Sequence, residues 1–70
     1  MNINMYFGKK LKTERLKLKL SQEKLALKAG VDRTYVNHIE KGSRNVSLVI
    51  ANKLAIVLKT HTSNLLKDLK

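Results

Sequence analysis

The sequence predicts an all-α domain, a compact bundle of five short helices, and three observations carry that expectation. Apolar residues recur at helical spacing, as in Phe7, Leu11 and Leu18. Ser, Asp and Gly positions punctuate the chain at helix-sized intervals, with Ser21, Asp32 and Ser47 as starts and Gly30 and Gly42 as stops. Proline is absent, and no β-branched run alternates with polar residues to suggest a strand with a partner. A chain of 70 residues holds a single domain over residues 1–70.

The first helix is expected from about Asn4 to Lys19. At about 100° per residue Phe7, Leu11, Arg15 and Leu18 share one narrow face, while Leu16 lies opposite, exposed or in an interface. Leu16, Leu18 and Leu20 alternate with lysines, but Leu and Lys form strands poorly. Ser21 is the N-cap of a second helix with Glu23 in its first turn. Leu20 and Leu25 stand at the positions of a hydrophobic staple. Gly30 supplies a left-handed residue after Ala29. Asp32 caps a third helix, Val31 and Val36 repeat the staple, and Gly42 stops it after about nine residues.

Two short helices joined by Gly30-Val31-Asp32 have the spacing of a helix-turn-helix, over about residues 21–41. Ala26 permits close approach, Gly30 turns the chain, and Val36 and Ile39 pack back. A fourth helix is expected from Ser47 to Leu58. Its apolar arc of Leu48, Ile50, Ala51, Leu54, Ala55, Val57 and Leu58 covers half the cylinder. Val49 and Ile56 fall outside that arc, which points to a second buried face, a dimer contact. Thr62 or Ser63 caps a fifth helix carrying Leu65, Leu66 and Leu69.

The charge narrows the function. Fifteen Lys and Arg face five Asp and Glu, a formal net charge of +10, with a pI near 10.2. Residues 1–30 carry eight basic residues against Glu14 and Glu23. Such a balance fits a polyanionic partner, though a merely solvated surface gives it too. With no cysteine, disulfides and thiolate metal sites are excluded. The longest apolar runs, Leu48–Ala51 and Leu54–Leu58, are far below the ~20 residues of a membrane span. Met5-Tyr6-Phe7 precedes the lysines, the reverse of a secretory signal. A soluble, cytoplasmic protein is expected.

Arg33, Thr34, Asn37, His38 and Lys41 span roughly 140° of the third helix, with Val36 and Ile39 opposite and Tyr35 on the boundary. The exposed side chains donate hydrogen bonds and none is acidic, as a helix in the major groove requires. Arg33 opens the helix, and amino-terminal residues of a recognition helix reach the base edges. Gln22, at the start of the second helix, offers its amide and free N–H groups to a phosphate. Ser43-Arg44-Asn45-Val46-Ser47 forms a polar loop suited to a second phosphate, Ser47 doubling as N-cap, and Lys41 is a weaker candidate. Glu40 falls on the inner side of the third helix, where an unpaired carboxylate is costly. Arg15 is the sole cation on the first helix's apolar stripe. A structural Arg15–Glu40 ion pair follows, against the alternative of two independent surface charges.

Leu20-Ser-Gln-Glu-Lys-Leu-Ala-x-x-Ala-Gly-Val, followed by Arg33-Thr-Tyr-Val-x-x-Ile-Glu-x-Gly-x-Arg-Asn-Val-Ser, resembles the Cro/phage-repressor (Xre-type) helix-turn-helix family. Arg33-Thr34-Tyr35 with Arg44-Asn45 is similar to the controller proteins of restriction–modification systems. The resemblance runs from about Phe7 to Leu69. It implies a five-helix, lambda-repressor-like domain that binds a palindromic operator as a homodimer. It implies base contacts from Arg33, Thr34, Tyr35, Asn37 and His38, and backbone contacts from Gln22, Arg44, Asn45 and Ser47. It also implies an ion pair at Arg15 and Glu40, and dimerisation through the fourth and fifth helices by Val49, Ile56, Leu65 and Leu69. The chain departs from the family at Lys59, where a glycine is common after the fourth helix, so that helix runs on or ends in a strained turn. Thr60 and Thr62 stand where aliphatic residues are usual.

The leading reading is a sequence-specific transcriptional regulator of controller type. A phage-type repressor or an antitoxin regulator shares the fold. Non-specific binding of RNA or DNA through the lysine-rich first helix is a second class, marked by steep salt dependence without sequence preference. A cationic membrane-surface peptide is a third, opposed by the caps and glycines. Enzyme chemistry is not indicated: His38 and His61 are 23 residues apart, no carboxylate stands at ligand spacing, and no glycine-rich phosphate loop exists. His38 reads as a groove contact and His61 as a loop residue. No metal and no cofactor is implied. The partners are a double-stranded DNA operator and a second copy of the chain, with RNA polymerase a further candidate and no membrane.

Overall fold

The computed structural model describes residues 2–60 and Leu65. Four helices follow in order: α1 (Ile3–Lys17), α2 (Gln22–Ala29), α3 (Arg33–Lys41) and α4 (Leu48–Val57). No strand occurs among the described residues. Of the expected fifth helix, Thr62, Ser63, Leu66 and Leu69 lie outside the described residues, as does His61. Leu65 is within them and is buried in the core.

Every start is fixed by a side chain. Asn2, Ser21, Asp32 and Ser47 accept from the backbone N–H groups of Met5, Lys24, Thr34 and Ile50 respectively. Each such cap contributes about 1 kcal/mol by satisfying an otherwise orphaned donor. The expected Ser21, Asp32 and Ser47 caps form. Asn2 moves the start of α1 ahead of the expected Asn4.

The four stops share one geometry. In each, two successive N–H groups fold back onto carbonyls of the last turn, as in Lys19 N to Leu16 O and Leu20 N to Arg15 O. The left-handed residue is Gly30 (φ +71°) after α2 and Gly42 (φ +75°) after α3. After α1 and α4 it is Lys19 (φ +57°) and Lys59 (φ +59°), which costs a side-chain-bearing residue roughly 1 kcal/mol. So α1 ends at Lys17 rather than Lys19, and α4 ends in a left-handed turn at Lys59 rather than running on. Leu18, expected on the inner face of α1, is the exposed cap beyond its last turn.

The core joins Phe7 and Leu11 of α1, Leu25 and Ala26 of α2, Val36 and Ile39 of α3, and Ala51, Leu54 and Ala55 of α4, with Leu58 and Leu65. Leu20 and Val31, before their caps, are half-buried against it. Helix α1 packs on α3, and α2 packs on both α3 and α4. One contact the sequence reading passed over sets α1 against α3. A Cβ at Gly8 would overlap the Ile39 carbonyl oxygen and stand 2.9 Å from that of Glu40, so the two backbones meet with no side chain between them.

Helix α4 departs from its expected arc at its first residue. Leu48 is 81% exposed, whereas Ala51, Leu54, Ala55 and Leu58 are buried. A first-turn residue lies at the rim of the bundle, beyond the reach of the helices beneath it.

Candidate nucleic-acid interface

Helix α3 has two faces. Val36 and Ile39 are buried, and the Glu40 side chain is only 4% exposed. Burial of that carboxylate is made tolerable by a bidentate partner. Arg15 donates from Nε to Glu40 Oε2 at 2.7 Å and from Nη2 to Oε1 at 3.0 Å, while its Nη1 donates to the Leu20 carbonyl at 2.7 Å. The expected ion pair therefore forms and ties α1, the α1–α2 turn and α3 together. No buried side-chain N or O lacks a partner among the described residues, the condition under which a buried pair is sustainable.

Gln22 belongs to this network, which the sequence reading missed. Its Nε2 donates to Glu40 Oε1 at 3.0 Å and reaches Asn37 Oδ1 at 3.5 Å. The expectation that this amide faces a phosphate is corrected to that extent. The carboxylate keeps acceptor capacity after Arg15 binds, and Gln22's NH2 takes it up. What faces outward at this corner is the start of α2. The signal was present in the sequence, because a buried carboxylate with one arginine invites a further donor.

On the outer face Arg33, Thr34 and Lys41 are exposed, and Asn37 and His38 are half-buried. The Arg33 side chain is 66% exposed at the head of α3, and its Nη1 stands 3.7 Å from Glu23 on α2, a loose surface contact worth little. Arg33, Thr34 and Asn37 share an open polar cleft with Ser21, Gln22 and Glu23. The two helix starts thus open onto one concavity.

The α3–α4 loop flanks that face and is held at several points. Tyr35 is half-buried against the core; its hydroxyl donates to the Asn45 carbonyl at 3.4 Å, and the Arg44 guanidinium lies 5.1 Å from its ring centroid. Ser43 Oγ donates to the His38 carbonyl at 3.2 Å. Asn4 Nδ2 donates to Asn45 Oδ1 at 2.7 Å. Arg44, Asn45 and Ser47 stay exposed. Ser47 Oγ accepts from Ile50 N–H at 3.1 Å, which leaves its own O–H to donate. Arg44 and Tyr35, expected to act separately, form one stacked unit.

Of the four residues expected to meet a second copy, Val49 is 65% and Ile56 64% exposed. Leu65 is fully buried, so its side chain serves the core of the monomer and leaves no surface for a partner; that expectation is corrected. Leu69 lies outside the described residues. Among those described, no group of three His, Asp or Glu is placed to hold a metal, and no helix is long and apolar enough to cross a membrane.

The fold recurs in known proteins. A family model described as helix-turn-helix matches residues 11–65. Control protein C.BamHI of Bacillus amyloliquefaciens is 44% identical over 66 residues, covering 93% of this chain and 82% of its own. Control protein C.MunI of a Mycoplasma species is 44% identical over 70 residues, covering 99% and 95%. The crystal structure of the restriction–modification controller protein C.AhdI from Aeromonas hydrophila superposes with a TM-score of 0.86 at 45% identity, over 89% of this chain and 94% of that one. A capped two-helix turn, an outward face rich in donors and these likenesses converge: the chain belongs to the helix-turn-helix family.

Proposed function

We propose that the protein is a sequence-specific, double-stranded-DNA-binding transcriptional regulator, a controller of a restriction–modification system. The observation that carries this reading is the exposure of Arg33 at the head of α3, beside Thr34 and Asn37, while the opposite face is locked by the Arg15–Glu40 pair. A guanidinium so placed suits guanine O6 and N7 in the major groove. Arg44, Asn45 and Ser47 of the following loop, with Lys41, hold the sugar–phosphate backbone; Thr34, Asn37, His38 and the ring of Tyr35 complete the base-reading set. The controller role follows from likeness to proteins named as restriction–modification controllers.

Residues 1–70 act as one domain and bind a palindromic operator as a homodimer. The exposed Val49 and Ile56 of α4 support that reading, since aliphatic side chains left in water favour association. Half-sites lie about one helical turn apart. RNA polymerase is a further partner of the bound dimer, which resides with the nucleoid.

Selection of bound duplexes from a random pool tests the reading. A two-fold symmetric consensus is expected, and Arg33→Ala relaxes preference at one base pair in each half. Equal weakening on every sequence would leave only non-specific binding through the basic surface.

A further inference from the structure

The hydrogen bond from Asn4 to Asn45 spans 41 positions of sequence and joins α1 to the loop proposed above as a phosphate clamp. Asn4 sits in the first turn of α1, whose start is fixed by the Asn2 cap. A primary amide has one acceptor oxygen and two N–H donors. With its Oδ1 taken by Asn4 at 2.7 Å, Asn45 presents its NH2 away from α1. A phosphate oxygen only accepts, so the NH2 is the half of the amide that can hold it. Both amides rim an apolar groove formed with Ile3, Phe7, Val46 and Leu48. The Tyr35 hydroxyl secures the Asn45 main chain.

We propose that Asn4 is a positioning residue for DNA binding. It sets the Asn45 amide donor-outward and so enlists α1 in holding the backbone without touching the duplex itself. This rests on the reading of the α3–α4 loop as a backbone contact.

The test is a double-mutant cycle with Asn4→Ala and Asn45→Ala, titrated below the melting transition against the duplex selected from the random pool and a mixed-sequence duplex of equal length. Asn4→Ala is expected to weaken both duplexes by the same factor, about three- to tenfold for one lost hydrogen bond, with the ratio between them unchanged. In the Asn45→Ala background it should have no further effect. The size-matched Asn4→Leu should behave alike, which separates the lost donor from lost volume. Unchanged binding by Asn4→Ala overturns the proposal, as does a full loss added to that of Asn45→Ala. If Asn45→Ala binds normally while Arg33→Ala loses specificity, the positioning role falls and the base-reading function stands. If the unsubstituted protein prefers no duplex and binds none, both fall.

Discussion

Helix α3 has two sides that follow opposite rules. Inward, Val36, Ile39 and Glu40 are immobilised by the core, by Arg15 and by the backbone contact at Gly8. Outward, Arg33, Thr34 and Lys41 are exposed. Stability is vested in one side and, on the proposed function, recognition in the other, although the residues alternate along nine positions of a single helix. The inner side therefore answers to unfolding measurements, and the outer to binding.

The sharpest way to break that separation is Glu40→Ala. It leaves the Arg15 guanidinium buried without its carboxylate, and a loss of about 3–5 kcal/mol is expected, read by urea unfolding. Replacing both partners by apolar residues should recover most of it. A loss below about 1 kcal/mol, the range of surface pairs, would show that the pair is solvated. Gly8→Ala should cost about 2 kcal/mol, since displacing the α3 backbone outweighs the ~1 kcal/mol that alanine gains over glycine in a helix. The melting temperature would report it, and no fall would mean that α1 and α3 are further apart than described.

Arg33→Ala should act on the other side alone. Stability should move by no more than about 0.5 kcal/mol, while discrimination at its base pair falls by about 1–3 kcal/mol, measured by competition between duplexes. Unfolding of this variant would place Arg33 in the structural half. The smallest expected effect sharpens a second contrast, between helices closed by glycine and by lysine. Lys59→Gly should stabilise by about 1 kcal/mol through relief of the left-handed backbone, and Gly30→Ala should lose a similar amount; both are measurable in the same denaturant series.

Most of this division was legible in the sequence. Ser21, Asp32, Ser47, Gly30 and Gly42 marked ends because their side chains, or the lack of one, act locally. The Arg15–Glu40 pair was legible because one misplaced carboxylate and one misplaced cation had a single economical solution. The reading failed where tertiary distance decided. Gly8 looks like an ordinary interruption of a helix, and only the neighbouring carbonyls explain it. Lysine carries no mark of a left-handed stop, so Lys19 was invisible as such, and Lys59 was singled out only because the resemblance places a glycine there. Leu65 was placed on an interface by the family resemblance, with which its apolar side chain agreed, but hydrophobicity is equally the mark of a core residue. The bond from Asn4 to Asn45 joins distant elements through amides, whose many possible partners leave no pattern in the sequence, whereas the second donor to Glu40 was called for by the buried carboxylate but not assignable to Gln22.

The bare crossing at Gly8 bears on how a target would be met. Two rods in backbone contact cannot slide or swivel independently, so on the proposed function α3 arrives at a groove already welded to its neighbour. Accommodation then falls on the duplex, and base pairs the protein never touches should matter through how readily they bend.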